Sequence, residues 1–337
     1  MAQTEYGDIT RAGAAFVVAE ALDYARPILV LQKFGMAKPM PKNKSEIIHF
    51  RRPVPFAPAT TPLQEGVTPS PKQMQYERVE ATLSEYGDVV MHTNKVEELA
   101  TEPTATQMLS DLSQLLGEQA AETTELLTWG TLRAGTSVFY DIATNTARNQ
   151  VATAISLDRQ SAITRFLKQQ RAKKFTSILE GSVKIGTKPI EASYIAVAHT
   201  DLENDIRAMD GFVPVSEYGT MKPCCPEELG AVRDVRYVLS PLLEAFAGAG
   251  AAVAPNTFLE TGGNADVYPV IYLGKEAFGI VPLMGKESIV PRIIAADRAD
   301  KSDPLGQRGY AGWRTWYVSL ILNQLWMARL EVAVTAL

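Results

Sequence analysis

Between residues 53 and 71 the chain carries six prolines in nineteen positions, and this stretch limits the fold more than any other feature. Proline fixes φ and has no backbone N–H, so the stretch cannot be a helix or a central β-strand. Two segments with strand character flank it, residues 47–52 and residues 79–91, and apolar and polar side chains alternate in the second. The pattern predicts a long arm whose two flanking strands pair with each other. The prolines are Pro53, Pro55, Pro58, Pro62, Pro69 and Pro71.

A protruding arm of this kind has little reason to be ordered in isolation. Fixing a backbone costs about 1–2 kcal/mol per residue, and structureless loops beyond roughly 12–15 residues are uncommon inside compact domains. We therefore expect a neighbouring subunit to hold the arm, with Arg51, Arg52 and Arg78 as candidates to meet acidic side chains on that neighbour. The alternative is a disordered surface loop.

The composition indicates a globular chain. Hydrophobic residues make up 46% and charged residues 21% of the 337 residues, which predicts a sizeable core. The formal net charge of −5 argues against a protein held on nucleic acid by a broad basic face. The first residues are unlike a signal peptide and no uninterrupted apolar stretch reaches 18 residues, so we expect a soluble protein without a membrane span. Its two cysteines are adjacent, which is typical of a reducing cytoplasm rather than a disulfide scaffold.

Hydrophobic periodicity predicts two prominent helices. The clearer one covers residues 103–130, with Pro103 in the first turn and Gly130 as its stop. The second covers residues 157–175, and we interpret its basic end as a complement to the helix dipole rather than a nucleic-acid patch. An N-terminal arm with some helical character is expected over residues 8–36.

From residue 190 strands and helices alternate, which favours an α+β fold. Three of the four tryptophans, Trp313, Trp316 and Trp326, lie near the end of the sequence. The pattern there predicts two strands, residues 316–322 and 326–334, joined as a hairpin that packs aromatic side chains densely.

Residues that could carry chemistry are scattered, and we expect no catalytic, cofactor or metal site. Ser193, His199 and Asp201 are close in sequence, but a triad is defined by geometry and no GxSxG elbow is present. The segment 130–136 has the glycine spacing of a phosphate loop without its lysine. Asp297, Asp300 and Asp303 recur at intervals of three, and a solvated acidic turn is favoured there over a bound hard cation. No HExxH or CxxC motif occurs. The other residues weighed are His49, His92, Cys224 and Cys225.

A segment near the C-terminus has a more specific pattern. Asp300 to Tyr310 includes the run Asp303-Pro304-Leu305-Gly306-Gln307-Arg308-Gly309, a turn built from proline and two glycines, and Gly312-Trp313-Arg314-Thr315-Trp316 follows it. Upstream stands VYPVIYLGKEAFG, residues 267–279. Together these segments resemble the C-terminal signature of the major capsid protein family of N4-like phages. The order of elements is similar over nearly the whole chain.

The resemblance implies the Hong Kong 97-type capsid fold of tailed phages, in the α+β class. It further implies an N-terminal arm (1–44), an extended E-loop (45–92), a peripheral domain (93–189 and 299–337) with a spine helix (103–130), and an axial domain (190–298). The candidate E-loop begins too early to leave room for the internal scaffolding domain of some relatives, so we expect a separate scaffolding protein.

Three classes of function are compared. The resemblance implies a major capsid protein, made in the host cytoplasm, that self-assembles as hexamers and pentamers into an icosahedral head shell around the DNA genome. Its implied partners are copies of itself, portal, scaffolding and decoration proteins, and packaged double-stranded DNA through weak non-specific contact, with no membrane and no cofactor. The alternatives are a homo-oligomeric hydrolase or transferase whose proline-rich loop is a lid, and another virion component such as a decoration or minor head protein.

Overall fold

A computed structural model describes residues 29–41, 45–54, 56–62, 65–66, 68–93, 105–175, 192–218, 223–282, 289–294 and 303–336. Most of the expected N-terminal arm, and Asp297 and Asp300, lie outside these residues. Helices cover α1 (Ala105–Arg133), α2 (Leu157–Gln169) and α3 (Glu203–Arg207), with 3-10 turns at Leu31–Lys33, Arg148–Gln150, Thr200–Leu202, Val215–Tyr218 and Gln324–Trp326. Strands cover β1 (Met36–Ala37), β2 (Ile47–Pro53), β3 (Tyr76–Thr82), β4 (Ser84–Thr93), β5 (Val138–Tyr140), β6 (Tyr194–Ala198), β7 (Phe212–Pro214), β8 (Glu228–Val232), β9 (Val235–Leu239), β10 (Glu260–Thr261), β11 (Asn264–Ala265), β12 (Tyr268–Leu273), β13 (Phe278–Pro282), β14 (Ile289–Ile294), β15 (Arg308–Ile321) and β16 (Met327–Val332).

A seven-stranded mixed sheet, in the order β5-β16-β12-β6-β9-β8-β7, contains most of the core. Its inner strands are fully buried, so their apolar residues do not alternate with exposed ones. Successive side chains of each strand point to opposite faces of the sheet and form a separate apolar cluster on each face. One cluster contains α2 and α3 through Ile163, Leu167 and Ile206, and the other contains the end of α1 through Trp129 and Leu132. The helices α1 and α2 therefore cover opposite faces of this sheet.

A second, five-stranded sheet is organised around β15. Strand β4 pairs with one edge of β15, while β14 and then β13 pair with the other edge. Helix α1 crosses one face, where Leu116 and Ala120 pack against Ala311 and Trp313. Polar contacts reinforce the packing, because the Thr128 hydroxyl lies 2.6 Å from the Tyr317 hydroxyl. The same helix thus contacts both sheets.

The long helix is present, and its C-terminal end was predicted wrongly. It continues beyond Gly130 to Arg133, because Leu132 is buried in the core that follows the glycine. The chain turns at Gly135, where a Cβ atom would lie 2.3 Å from the Met327 Cε atom. Packing against the seven-stranded sheet, rather than the glycine, sets the end of the helix.

The second helix ends earlier than the predicted 157–175. It stops at Gln169 because Arg171 takes a left-handed conformation with φ of 55°. The N–H of Ala172 then donates to the carbonyl of Leu167 at 3.0 Å, which is the Schellman arrangement that closes a helix. The basic residues that follow are therefore not part of the helix.

The predicted C-terminal hairpin is wrong. Strands β15 and β16 are adjacent in sequence but belong to different sheets. The Asn323 side chain accepts the N–H of Leu325 at 3.1 Å and starts a 3-10 turn, and the Trp326 carbonyl accepts the N–H of Gly274 at 2.8 Å. These contacts direct the chain to β12, with which β16 pairs over its full length.

A buried carboxylate joins the segment before β1 to α1. Glu125 is fully buried, and its Oε1 accepts the backbone N–H groups of Val30 at 3.1 Å and Leu31 at 2.7 Å. Beside it, Lys33 pairs with Glu227 at 2.7 Å. Burial raises the pKa of Glu125 to about 7, although the two N–H groups and Lys33 act in the opposite direction.

We predict that Glu125→Gln removes a pH-dependent contribution to stability. The folded state raises the pKa from its ordinary 4.5, so the contribution is fully present below pH 4.5 and is lost as the pH rises through about 7. Glutamine keeps the acceptor and cannot ionise. Relative to the wild type, the free energy of unfolding of the variant should therefore improve by on the order of 3 kcal/mol between acid and mildly alkaline pH.

Denaturant unfolding of unassembled subunits at both pH values measures this difference. Glu122→Gln is the matched control, since Glu122 is exposed on the same helix. A difference between Glu125→Gln and wild type that does not change with pH would contradict the prediction.

Candidate assembly surface

The proline-rich segment is held at its root by a two-stranded hairpin. Strand β2 pairs with β3 from Ile47 opposite Thr82 to Pro53 opposite Tyr76. The N–H of Val54 extends the ladder by donating to the carbonyl of Gln75 at 2.9 Å. The predicted pairing of residues 47–52 with residues 79–91 is confirmed for residues 79–82, whereas residues 84–91 belong to β4, which pairs with β15 instead. Leu83, which is buried, separates the two parts.

Charged side chains lie across this hairpin. Arg52 forms an ion pair with Glu77, and Arg78 pairs with Glu80 at 2.6 Å. Arg78 also lies 2.7 Å from the Nε2 atom of His49. Two of the arginines expected to meet acids on a neighbour therefore already have acidic partners within the arm. Arg51 has no ion-pair partner in the part of the chain that the structure describes.

Large apolar side chains are exposed on the arm. Phe56 is 57% and Tyr76 is 58% exposed, and Met74 is also exposed. At the root of the arm the apolar side chains are buried: Ile48 and Phe50 pack against Val281 and Leu320 of the five-stranded sheet. The arm is anchored to the subunit by its root and presents apolar groups to solvent beyond it.

A second apolar surface lies on the five-stranded sheet, on the face opposite α1, which we call the outer face. Tyr310 of β15 pairs directly with Met91 on one side and Ile294 on the other, so the three side chains form a row. Met91 is 55% exposed, and Val89, two residues before it on the same face, is 63% exposed. None of the described strands pairs with the free edge of β4. Exposed apolar patches beside an open edge are typical of protein contacts.

Two glycines of the C-terminal motif are required by this sheet. A Cβ atom at Gly309 would lie 2.1 Å from the Nε2 atom of His92, and one at Gly312 would lie 2.6 Å from the Asp88 carbonyl. The motif therefore permits β4 and β15 to approach closely. The side chain of Asp303, at its start, accepts the N–H of Arg308 at 2.7 Å and closes the turn.

The residues weighed for chemistry have local structural contacts. The Nδ1 atom of His199 accepts the N–H of Asp201 at 3.1 Å, and its Nε2 atom lies 3.1 Å from the Pro241 carbonyl. His92 is buried in the sheet, Ser193 is fully buried, and the segment 130–136 contains the end of α1. Groups of three or more potential metal ligands do not occur among the described residues, and no helix in that part of the chain is long and apolar enough to cross a membrane.

The adjacent cysteines are free thiols whose sulfur atoms lie 3.9 Å apart. The N–H of Cys224 donates to Glu228 at 2.6 Å. Its hydrogen bond with Cys225, burial and the charge of Glu228 all raise the pKa of the Cys224 thiol. Because the thiolate is the nucleophilic form, this environment disfavours reactivity.

Comparison with known proteins points to a single class. No family model matches the chain. A major capsid protein of Pseudomonas phage KPP21 is 23% identical over 211 residues, which are 59% of this chain and 53% of that protein. The match thus spans about half the length of that relative.

Solved structures match over a larger part of the chain. The capsid of Ralstonia phage GP4 gives a TM-score of 0.64 at 11% identity, over 90% of this chain and 87% of that one. The capsid of cyanophage Pam1 gives a TM-score of 0.61 at 11% identity, over 99% of this chain and 95% of that one. This chain has the Hong Kong 97-type capsid fold.

The capsid fold confirms the expected α+β class and the fold that the C-terminal motif implied. The relative and both solved structures are named as a capsid protein or as capsids, and the enzyme alternative finds no support among them. Among the described residues, the arm and the outer face each carry several large apolar side chains that are exposed.

We predict that Met91→Lys leaves the subunit folded but raises the subunit concentration needed for assembly at least about tenfold. The side chain is already solvent-exposed, so folding tolerates the charge, whereas a contact across the outer face would have to bury it unpaired. A tenfold change corresponds to about 1.4 kcal/mol. Light scattering during assembly measures the threshold.

Met91→Leu is the matched control, because it keeps the apolar surface and should assemble normally. Circular dichroism establishes that both variants fold. Normal assembly by Met91→Lys would exclude the outer face as an assembly contact.

Proposed function

We propose that this chain is a major capsid protein that self-assembles as hexamers and pentamers into the icosahedral head shell of a DNA phage. The observation that carries the proposal is the capsid fold over nine-tenths or more of the chain. The 23% identity to a named major capsid protein over part of both chains supports it.

The physical chemistry of the arm supports self-assembly independently. A two-stranded hairpin is marginal in water, and this one carries exposed aromatic side chains at Phe56 and Tyr76. Its internal ion pairs are exposed, and such pairs contribute about 0–1 kcal/mol each. The arm therefore needs further apolar contact, and in a homo-oligomer a second copy of the chain supplies it.

The subunit divides, in this proposal, into an N-terminal arm (1–44), an E-loop (45–92), a peripheral domain (93–189 and 299–337) and an axial domain (190–298). Strands β6, β8, β9 and β12 of the axial range share one sheet with β5 and β16 of the peripheral range. The two domains would then be joined by a continuous core and would move as one body.

The remaining partners follow from the role of a shell protein. The proposal includes contacts with a portal, a separate scaffolding protein and decoration proteins, and weak non-specific contact with packaged double-stranded DNA. The protein would be made in the host cytoplasm and would act in the virion.

Electron microscopy and sedimentation of purified protein test the proposal. A shell protein gives capsomers and closed particles of very large mass, whereas an enzyme gives a small closed oligomer. A well-folded small oligomer under every assembly condition would contradict the proposal.

Limited proteolysis tests the role of the arm. Lys72 is exposed and directly follows the proline-rich segment, so trypsin should cut after it in free subunits. In assembled particles the neighbouring subunit should protect this bond, and we expect the cleavage rate to fall at least tenfold. Gel electrophoresis and mass spectrometry identify the fragment.

Lys72→Gln is the control, because it removes the trypsin site and should abolish the fragment. Equal cleavage of wild-type protein in both states would show that the segment is an appendage without an assembly contact.

A further inference from the structure

An open cleft lies between α2 and the turn that joins β8 to β9. Its volume is about 560 Å³, and every described lining side chain is polar or charged. Three of them are cations: Arg165 and Lys168 from α2, and Arg233 from the turn. We call this site the basic cleft. It lies in the layer of α2, on the face of the seven-stranded sheet opposite α1.

Two of the three cations are uncompensated. The carboxylate of Asp234 is buried and is occupied by Lys168 at 2.5 Å and by Lys174 at 3.7 Å. Arg165 and Arg233 are exposed and have no ion-pair partner within the described ranges. Two free guanidinium groups therefore face one cleft in a chain whose net charge is −5.

The walls of the cleft are rigidly joined. The amide of Gln160 on α2 donates to the carbonyl of Val232 at 2.8 Å, and the Tyr237 hydroxyl donates to the same amide group at 2.8 Å. Val232 pairs with Val235, so Arg233 and Asp234 form a two-residue hairpin turn, and the φ of 53° at Arg233 is the positive φ that such turns use at their first central position. The cleft is thus formed before any ligand binds.

We propose that the basic cleft binds the phosphate backbone of double-stranded DNA. A guanidinium group donates two parallel hydrogen bonds to a phosphate, and Ser161 and Gln169 add neutral donors at the same cleft. An acidic peptide helix would dock by inserting apolar side chains between apolar residues, and none of the described lining residues is of an apolar type. The inference rests on the proposed function, because a head shell places DNA against one face of each subunit.

Binding of a fluorescent duplex of about 20 base pairs to unassembled subunits tests this inference. Each neutralised phosphate adds about 0.9 to the slope of log affinity against log salt. Arg165→Gln/Arg233→Gln should therefore lower the slope by about 1.8, equivalent to about a 12-fold smaller loss of affinity between roughly 50 and 200 mM salt. Arg165→Lys/Arg233→Lys keeps both charges and should keep the slope, which separates loss of charge from misfolding.

Arg292→Gln/Arg308→Gln is the matched control, because it removes two exposed arginines from the five-stranded sheet. An unchanged slope in the glutamine variant of the cleft, or an equal fall in the control, would overturn the inference. So would displacement of the duplex by polyglutamate of the same total charge at equal concentration, since the cleft would then be a general polyanion site. Particle formation is measured separately. Shells that form without duplex binding would contradict the basic cleft alone. Duplex binding without shells would contradict the proposed function alone.

Discussion

The contact between α1 and β15 is the constraint on which the rest of the subunit depends. Gln119 of the helix accepts the indole N–H of Trp313 at 3.0 Å and donates to Asp88 of β4 at 2.6 Å. One amide group therefore joins the helix to two neighbouring strands. Its donation to Asp88 lowers the pKa of that carboxyl. Because α1 also packs on the seven-stranded sheet, the position of this contact sets the position of one sheet relative to the other.

Three surfaces of different chemistry follow from this arrangement. The arm and the outer face belong to the five-stranded sheet and are rich in exposed apolar groups, while the basic cleft belongs to the layer behind the seven-stranded sheet. Apolar contact is non-directional and strong, which suits subunit association. Separated cations give weak, salt-dependent binding, which suits DNA that must enter a particle and later be released from it. In the proposed function, shell formation and contact with the genome would then use different faces of the subunit.

The sequence predicted the elements better than their connections. Local pattern was sufficient for the long helix, for the arm and for the alternation of strands and helices after residue 190, because each has a strong period or a run of apolar residues. It was insufficient for β15 and β16, since a hairpin and a crossover differ only in distant pairing. Glu125 is buried because Val30 and Leu31 bring their N–H groups to it from 95 and 94 residues away, and no pattern within α1 indicates this contact.

The candidate surfaces divide in the same way. The proline content revealed the arm, but both Arg52 and Arg78 were assigned to acids on a neighbour. The partner of Arg52 depends on the β2–β3 register, whereas the partner of Arg78 lies two residues further along β3, on the same face. The outer face could not be predicted, because Met91, Ile294 and Tyr310 become adjacent only when three strands pair. The basic cleft likewise joins a helix to a turn more than sixty residues later.

The placement of β15 and β16 has a consequence for synthesis of the chain on the ribosome. Each is an inner strand of its sheet, and together they span residues 308–332. Until they emerge, β4 and β13 have no common neighbour, α1 lacks Trp313 to pack against, and β12 lacks one of its two partners. Non-local pairing of this kind forms slowly. Nascent chains therefore remain unable to close either sheet until residues 308–332 have been synthesised, and a chain interrupted before that point cannot form a finished outer face.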